Sequence, residues 1–140
     1  VMTALTDEAR AAIEEGHLAH LVTLNPDGSP QLSIVWVGIE GDEIVAAHLF
    51  EHQKVRNVRR DERVVLSMET GGHDHRGYDN YLVVHGRARI TDGGAPELLQ
   101  RLCDTYIGPG LKFPPMDEPP AGYITRIAVD RLGGVGPWVS

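Results

Sequence analysis

The chain is poor in several things that would otherwise narrow its chemistry. It carries one cysteine in 140 residues. An internal disulfide and a thiolate-rich zinc site are therefore excluded, and a reducing, cytoplasmic setting is expected. Cations are scarce: 13 Lys and Arg face 20 Asp and Glu, a formal charge of -7. That balance argues against a nucleic-acid partner, which needs a basic surface. No apolar run approaches the roughly 18–20 residues of a membrane span, so no membrane partner is expected. No G-x-G-x-x-G follows the first strand, and there is no P-loop and no G-x-S-x-G elbow. Nucleotide binding or serine chemistry by those devices is not indicated. Aromatics make up only 6% of the residues, which singles out Trp36 and Trp138.

What is present describes a small folded domain. A 41% hydrophobic content suffices for one core, and a single domain over residues 1–140 is expected. Thr6 is a plausible N-cap, with Asp7 and Glu8 at the positive end of a helix that Gly16 stops. A strand is expected from His17 to Asn25, a turn at Pro26–Ser29, a second strand from Pro30 to Ile39, and a third from Glu43 to His48. Tight turns between these runs predict an antiparallel meander. Residues Glu51–Asp61 read as a short helix anchored by Val55 and Val58, followed by a strand at Arg63–Glu69 and a polar loop at Thr70–Gly77. The run Tyr78–Thr91 is a long strand whose Gly86 suggests a bulge. Pro96 opens a helix carrying Leu98, Leu99, Leu102, Cys103 and Tyr106 at helical spacing. A proline-rich connector, Gly108–Ala121, precedes a last strand at Gly122–Leu132 and a glycine-rich tail. About six strands, few helices and no βαβ alternation predict a mainly β fold, an antiparallel barrel or curled sheet.

Charge is unevenly spread. Arg10 is the only cation before Lys54, yet Lys54, Arg56, Arg59, Arg60 and Arg63 fall within ten residues. A helix N-terminus presents unpaired N–H groups, so Lys54, with Gln53 as an amide donor, suggests a local anion site for a phosphorylated small molecule. Arg56, Asn57, Arg59 and Arg60 could extend that field or simply pair with nearby acids. His48 ends a strand beside this corner. His73 and His75 flank Asp74, but ligands two residues apart in a glycine-rich loop preset no coordination geometry, and no metal is expected. His17, His20 and His85 read as surface or hydrogen-bonded positions, and Cys103 as a small core hydrophobe. Trp36 reads as core. Trp138 could cover a ring system, pack on a neighbouring subunit or anchor the tail. No acid, base or nucleophile is singled out, so the catalytic residues stay unassigned, as suits a binding module or an enzyme whose cofactor performs the reaction.

Four stretches, HLAHLVTLNPDGSPQLSIVWV, KVRNVRRDERVVLS, YLVVHGRARIT and the closing GVGPW, run in order over nearly the whole chain. Together they resemble the pyridoxamine 5'-phosphate oxidase-like split β-barrel superfamily, and within it the deazaflavin-dependent oxidoreductases that use coenzyme F420. The resemblance implies a six-stranded antiparallel split barrel with about three short helices, usually a homodimer with cofactor clefts between protomers. It implies that Lys54 meets the cofactor phosphate, with Gln53, Ala47 and His48 lining the same pocket. Ser33, Ile34 and Val35 would run along the tricyclic ring, Asn80 and Tyr81 would fall near the cleft, and Trp138 is a further cofactor-binding candidate. The implied activity is hydride transfer between F420 and a small organic acceptor. An FMN-binding relative and a non-catalytic cofactor carrier are the alternatives. Tyr81 and His48 are candidate proton donors beside water. His52 stands where relatives carry a basic residue, and the substrate-phosphate arginine motif of pyridoxamine phosphate oxidases is lacking near the terminus.

Overall fold

A computed structural model describes residues 4–139. The first helix, α1 (Asp7–Glu14), starts where its sequence asks: Thr6 is extended and its hydroxyl accepts from the Ala9 N–H at 3.2 Å. Its buried face is Ala9, Ala12 and Ile13. Strands β1 (Ala19–Leu24), β2 (Pro30–Val35), β3 (Gly38–Glu40) and β4 (Glu43–His48) follow. Next come α2 (Gln53–Arg60), β5 (Arg63–His73), β6 (Asp79–Asp92), α3 (Ala95–Tyr106) and β7 (Tyr123–Val135). All strand pairs are antiparallel, in the order β2-β1-β5-β6-β7-β4-β3.

The expected strand Pro30–Ile39 is two strands, which makes the count seven rather than six. The chain bends at Trp36–Val37 because Val37 N–H leaves the ladder and donates to the Tyr106 hydroxyl at 3.0 Å. That hydroxyl in turn donates to the His17 carbonyl at 2.7 Å. β2 and β3 therefore occupy opposite edges of one sheet, and the two residues between them close it into a barrel. Of the expected meander both hairpins form, β1 with β2 and β3 with β4, but the bend sets them at opposite ends of the sheet. β4 does not return beside β2 but pairs with β3 and β7, with His48 opposite Tyr123.

Two strands outrun their expected ends. β5 continues to His73 across an irregularity after Glu69, and the ladder resumes at His73 opposite Asp79. Residues Thr70–His73 were legible only as a polar loop because they lack apolar alternation. β7 continues through Gly133 and Gly134 to Val135, opposite Tyr81. There the tail approaches β6 so closely that a Cβ on Gly134 would lie 2.2 Å from the Tyr81 carbonyl oxygen. The bulge expected at Gly86 is present, with a register shift between His85 and Gly86.

The barrel interior is filled by the inward-facing set Leu21, Ile44, Leu66, Met68, Leu82, Val84 and Ile127. Each contributes about 1.5–3 kcal/mol by burial. α3 packs Leu98 and Leu102 over Val45 and Ile124, a second cluster that Trp36 and Tyr106 flank.

Candidate functional site

The basic segment begins where β4 ends. His52 is the extended N-cap of α2 but makes no side-chain cap, and Val55 and Val58 bury the helix on the barrel. Asn57, expected among residues extending the cationic field, is fully buried instead. Its amide nitrogen donates to Thr23 Oγ1 and Asn25 Oδ1, both at 3.0 Å, and so ties α2 to β1.

The arginines of the segment are spent on the fold. Arg56 donates to the Glu51 carbonyl at 2.7 Å and to Gln53 Oε1 at 2.8 Å. Arg59 meets the Glu51 and Asp92 carboxylates at 2.8 and 3.4 Å. Arg60 donates to the Leu24 carbonyl, and Arg63 pairs with Asp61 at 2.7 Å. Among the described residues, Lys54 alone of this group has neither ion-pair partner nor hydrogen bond. Its ammonium is half-buried, and loss of hydration pushes its pKa below the ordinary lysine value. A desolvated cation without a counter-charge is costly, and the cost is recovered when an anion binds.

Lys54 opens into a groove of about 240 Å³. Ile34, Val35 and Trp36 form one side, and Ala47, Leu99 and Phe113 the other, with no carboxylate in the lining. The Trp36 ring is held between Tyr106, stacked at 5.4 Å, and Phe113, tilted at 5.2 Å. Other expected members of this site are placed differently. The Gln53 amide is engaged with its own helix, Nε2 donating to Asn57 Oδ1 and Oε1 accepting from Arg56. His48 is buried, with Nε2 2.8 Å from Thr125 Oγ1. Burial first, then the charges of Lys54 and His52, hold its pKa at about 3, so it is a neutral imidazole near pH 7 and not an imidazolium acid. Ser33 is not in the lining; its hydroxyl donates to Gln31 Oε1 at 3.3 Å. Alternation along β2 turns Ile34 outward and Val35 inward.

Asn80 and Tyr81 lie in a second, larger cleft of about 690 Å³ between β1 and the β5–β6 hairpin, with His17, His20, Glu69 and His73. His20, in the lining of this cleft, faces Ile34, in the lining of the Lys54 groove, across the β1–β2 ladder. Trp138 presents no ring to either. It is buried in the core, and its indole N–H donates to the Tyr81 carbonyl at 3.2 Å, so it anchors the tail. His73 is paired with Asp79 at 3.0 Å, and among the described residues no three His, Cys, Asp or Glu are grouped to hold a metal. Sequence reasoning missed Leu99 and Phe113 as walls and His20 as the cleft residue that faces Ile34. Only the ladder register, which sets His20 beside Ile34, could have found the last.

The sequence model described as pyridoxamine 5'-phosphate oxidase matches residues 5–132. The chain belongs to this family. No curated protein matches it. Among solved structures, the family member is similar to an F420 reductase, with 26% identity and a TM-score of 0.68, covering 89% of this chain and 94% of that one. A conserved hypothetical protein from Mycobacterium tuberculosis gives 26% identity and a TM-score of 0.69, covering 96% and 84%. An FMN-binding protein from Syntrophomonas wolfei subsp. wolfei gives 13% identity and a TM-score of 0.66, covering 94% and 86%, a likeness of fold. The sheet and its closure are those of the split barrel. No helix among the described residues is long and apolar enough to cross a membrane.

A flavin-like cofactor combines a phosphate with a flat apolar ring, and the Lys54 corner fits such a group. It offers an unpaired ammonium at a helix start and apolar walls. At about 240 Å³ the groove is smaller than the ~300–1,000 Å³ of whole small-molecule sites. It accommodates part of such a molecule.

Proposed function

We propose that the protein is a deazaflavin-dependent oxidoreductase that binds coenzyme F420 and exchanges a hydride with a small organic acceptor. The observation that carries this reading is Lys54, a half-buried cation left without a partner while the arginines beside it are all engaged. Its ammonium and the first N–H groups of α2 bind the cofactor phosphate. Val35, Ala47 and Trp36 exclude water beside it, and the outward face of Ile34 orients the ring. When bound, the cofactor supplies the hydride chemistry itself. The protein contributes placement and a dry wall, worth several kcal/mol when reacting atoms are held in contact. The similarity to an F420 reductase at 26% identity favours the deazaflavin over FMN, whose phosphate Lys54 would serve equally well.

The acting form is a homodimer in the cytoplasm. Leu32 and Ile34 on edge strand β2 stand 59% and 60% exposed, beside half-buried Val22 and Val65 on the same outer face. An exposed apolar sheet face of this kind is a protein-interaction surface. A second chain there would complete the shallow cofactor groove.

Titration of the protein with oxidised F420 and with FMN, followed by fluorescence, tests the reading. Lys54→Ala should weaken binding of the true cofactor by ~1.5–3 kcal/mol, the loss of a charge-assisted contact. Unchanged affinity removes Lys54 from the site. Tighter binding of FMN than of F420 replaces the deazaflavin by the flavin.

A further inference from the structure

The larger cleft, about 690 Å³ between β1 and the β5–β6 hairpin, shares no lining residue with the Lys54 groove. A volume of that size lies within the usual range for a whole small molecule. Its lining is rich in hydrogen-bond acceptors and holds no lysine or arginine. Three of the acceptors are imidazoles whose tautomer the fold sets. His20 Nδ1 lies 3.4 Å from the Ser67 carbonyl, His17 Nε2 2.9 Å from Glu15 Oε1, and His73 Nε2 3.0 Å from Asp79 Oδ1. A carbonyl or carboxylate oxygen only accepts, so in each pair the proton sits on that nitrogen. The other nitrogen of the neutral ring keeps a free lone pair.

The remaining groups ask for the same kind of partner. The buried Asn80 Oδ1 has no hydrogen bond, and an orphaned acceptor calls for a donor. Asp79 is engaged by His73, but Glu69, exposed on β5, has no ion pair or side-chain hydrogen bond among the described residues. Tyr81 is 43% exposed and brings an aromatic ring, whose face attracts a cation. Acceptors in excess, an unpaired carboxylate and an open ring together match a flat cation that donates through several N–H groups and accepts through none.

We propose that this cleft seats a small amidinium or guanidinium compound. The ligand pairs with Glu69, donates to Asn80 Oδ1 and to the free imidazole nitrogens, and lies against the Tyr81 ring. This binding is independent of the cofactor reading.

The test is a titration of the unliganded protein with p-aminobenzamidine at about pH 8, where imidazoles are ordinarily neutral. The emission of the probe reports binding, and benzamidine, benzamide and benzoate compete with it. These three share a shape and differ in charge and in donors. Benzamidine should bind about fivefold or more tighter than benzamide, and benzoate should not displace the probe. Glu69→Gln, at an exposed position, should bring benzamidine within about twofold of benzamide. Asn80→Leu should weaken benzamidine about threefold or more, and Lys54→Ala should leave it unchanged. Sedimentation should show the same association state with and without benzamidine.

A titration that does not saturate, or displacement by benzoate as effective as by benzamidine, overturns the proposal. So does a preference for benzamidine that survives Glu69→Gln, a result that stands even where Asn80→Leu fails to fold. Dissociation of the protein by benzamidine would assign the seat to an arginine of a second copy and overturn the small-molecule reading. If neither F420 nor FMN binds while the benzamidine results hold, the cofactor reading falls and the cleft stands.

Discussion

Asn57 is the tether on which the geometry of the Lys54 corner depends, and its removal has a calculable cost. The side chain is fully buried, donates to Thr23 Oγ1 and Asn25 Oδ1 at 3.0 Å each, and accepts from Gln53 Nε2 at 2.8 Å. In Asn57→Ala, Gln53 and Asn25 can turn to water. Thr23 cannot: it is itself fully buried and keeps only its 3.4 Å bond to Gln31. The buried bond to Thr23 and the part-buried bond to Asn25, lost at about 1 kcal/mol each, plus a small cavity, give a destabilisation of about 3 kcal/mol. For a chain of this length that is a fall in Tm of roughly 10 °C. Urea denaturation followed by circular dichroism measures the first quantity, and a thermal melt the second. Val58→Ala on the same helix is the control. It removes only apolar contacts and should cost about 1–2.5 kcal/mol. Cofactor affinity should fall in Asn57→Ala and not in Val58→Ala, since only the former frees α2 from β1. A loss below about 1 kcal/mol in Asn57→Ala would refute the tether.

Three further outcomes follow from single features. His48 stays neutral in the folded chain down to about pH 3, whereas the unfolded chain takes up a proton below its ordinary value of 6.5. Stability should therefore fall by about 1.4 kcal/mol per pH unit as pH drops through that window, and be flat for this group above it. His48→Gln should flatten the slope in urea titrations at several pH values; an unchanged slope would place the titration elsewhere. Gln100 clamps the proline-rich connector, donating to the Leu111 carbonyl at 2.7 Å and accepting from the Phe113 N–H at 2.9 Å. Gln100→Ala should cost at most about 1 kcal/mol of stability yet speed hydrogen exchange at Phe113 and weaken cofactor binding several-fold. Gln100→Glu, which can still accept, should fall between. Sedimentation should show a dimer that Leu32→Glu with Ile34→Glu converts to a monomer; a wild-type monomer would assign that face to another partner.

Much of the architecture was legible because local rules carry it. The cap at Thr6, the bulge at Gly86, the start of α3 and the apolar anchors Val55 and Val58 all sit where the local sequence places them. The strands were found wherever apolar alternation marked them, and lost at Thr70–His73 and Gly133–Val135, where polar and glycine residues hid the ladder. The bend at Val37 was invisible because its cause, the Tyr106 hydroxyl, is 69 residues away.

The site divides along the same line. Residue type and spacing alone marked Lys54 and the cluster of arginines after it, because charge density is a property of the chain order. Which of those cations would be free was decided by where Glu51, Asp61, Asp92 and the Leu24 carbonyl fell in space, and only Lys54 was left without a partner. Likewise the sequence supplied His48 and Trp138, while burial made the first a neutral core imidazole and the second a tail anchor. Backbone propensity acts over a few residues and can be read in order. Desolvation and pairing act through contacts between distant segments, and these exist only once the barrel has closed.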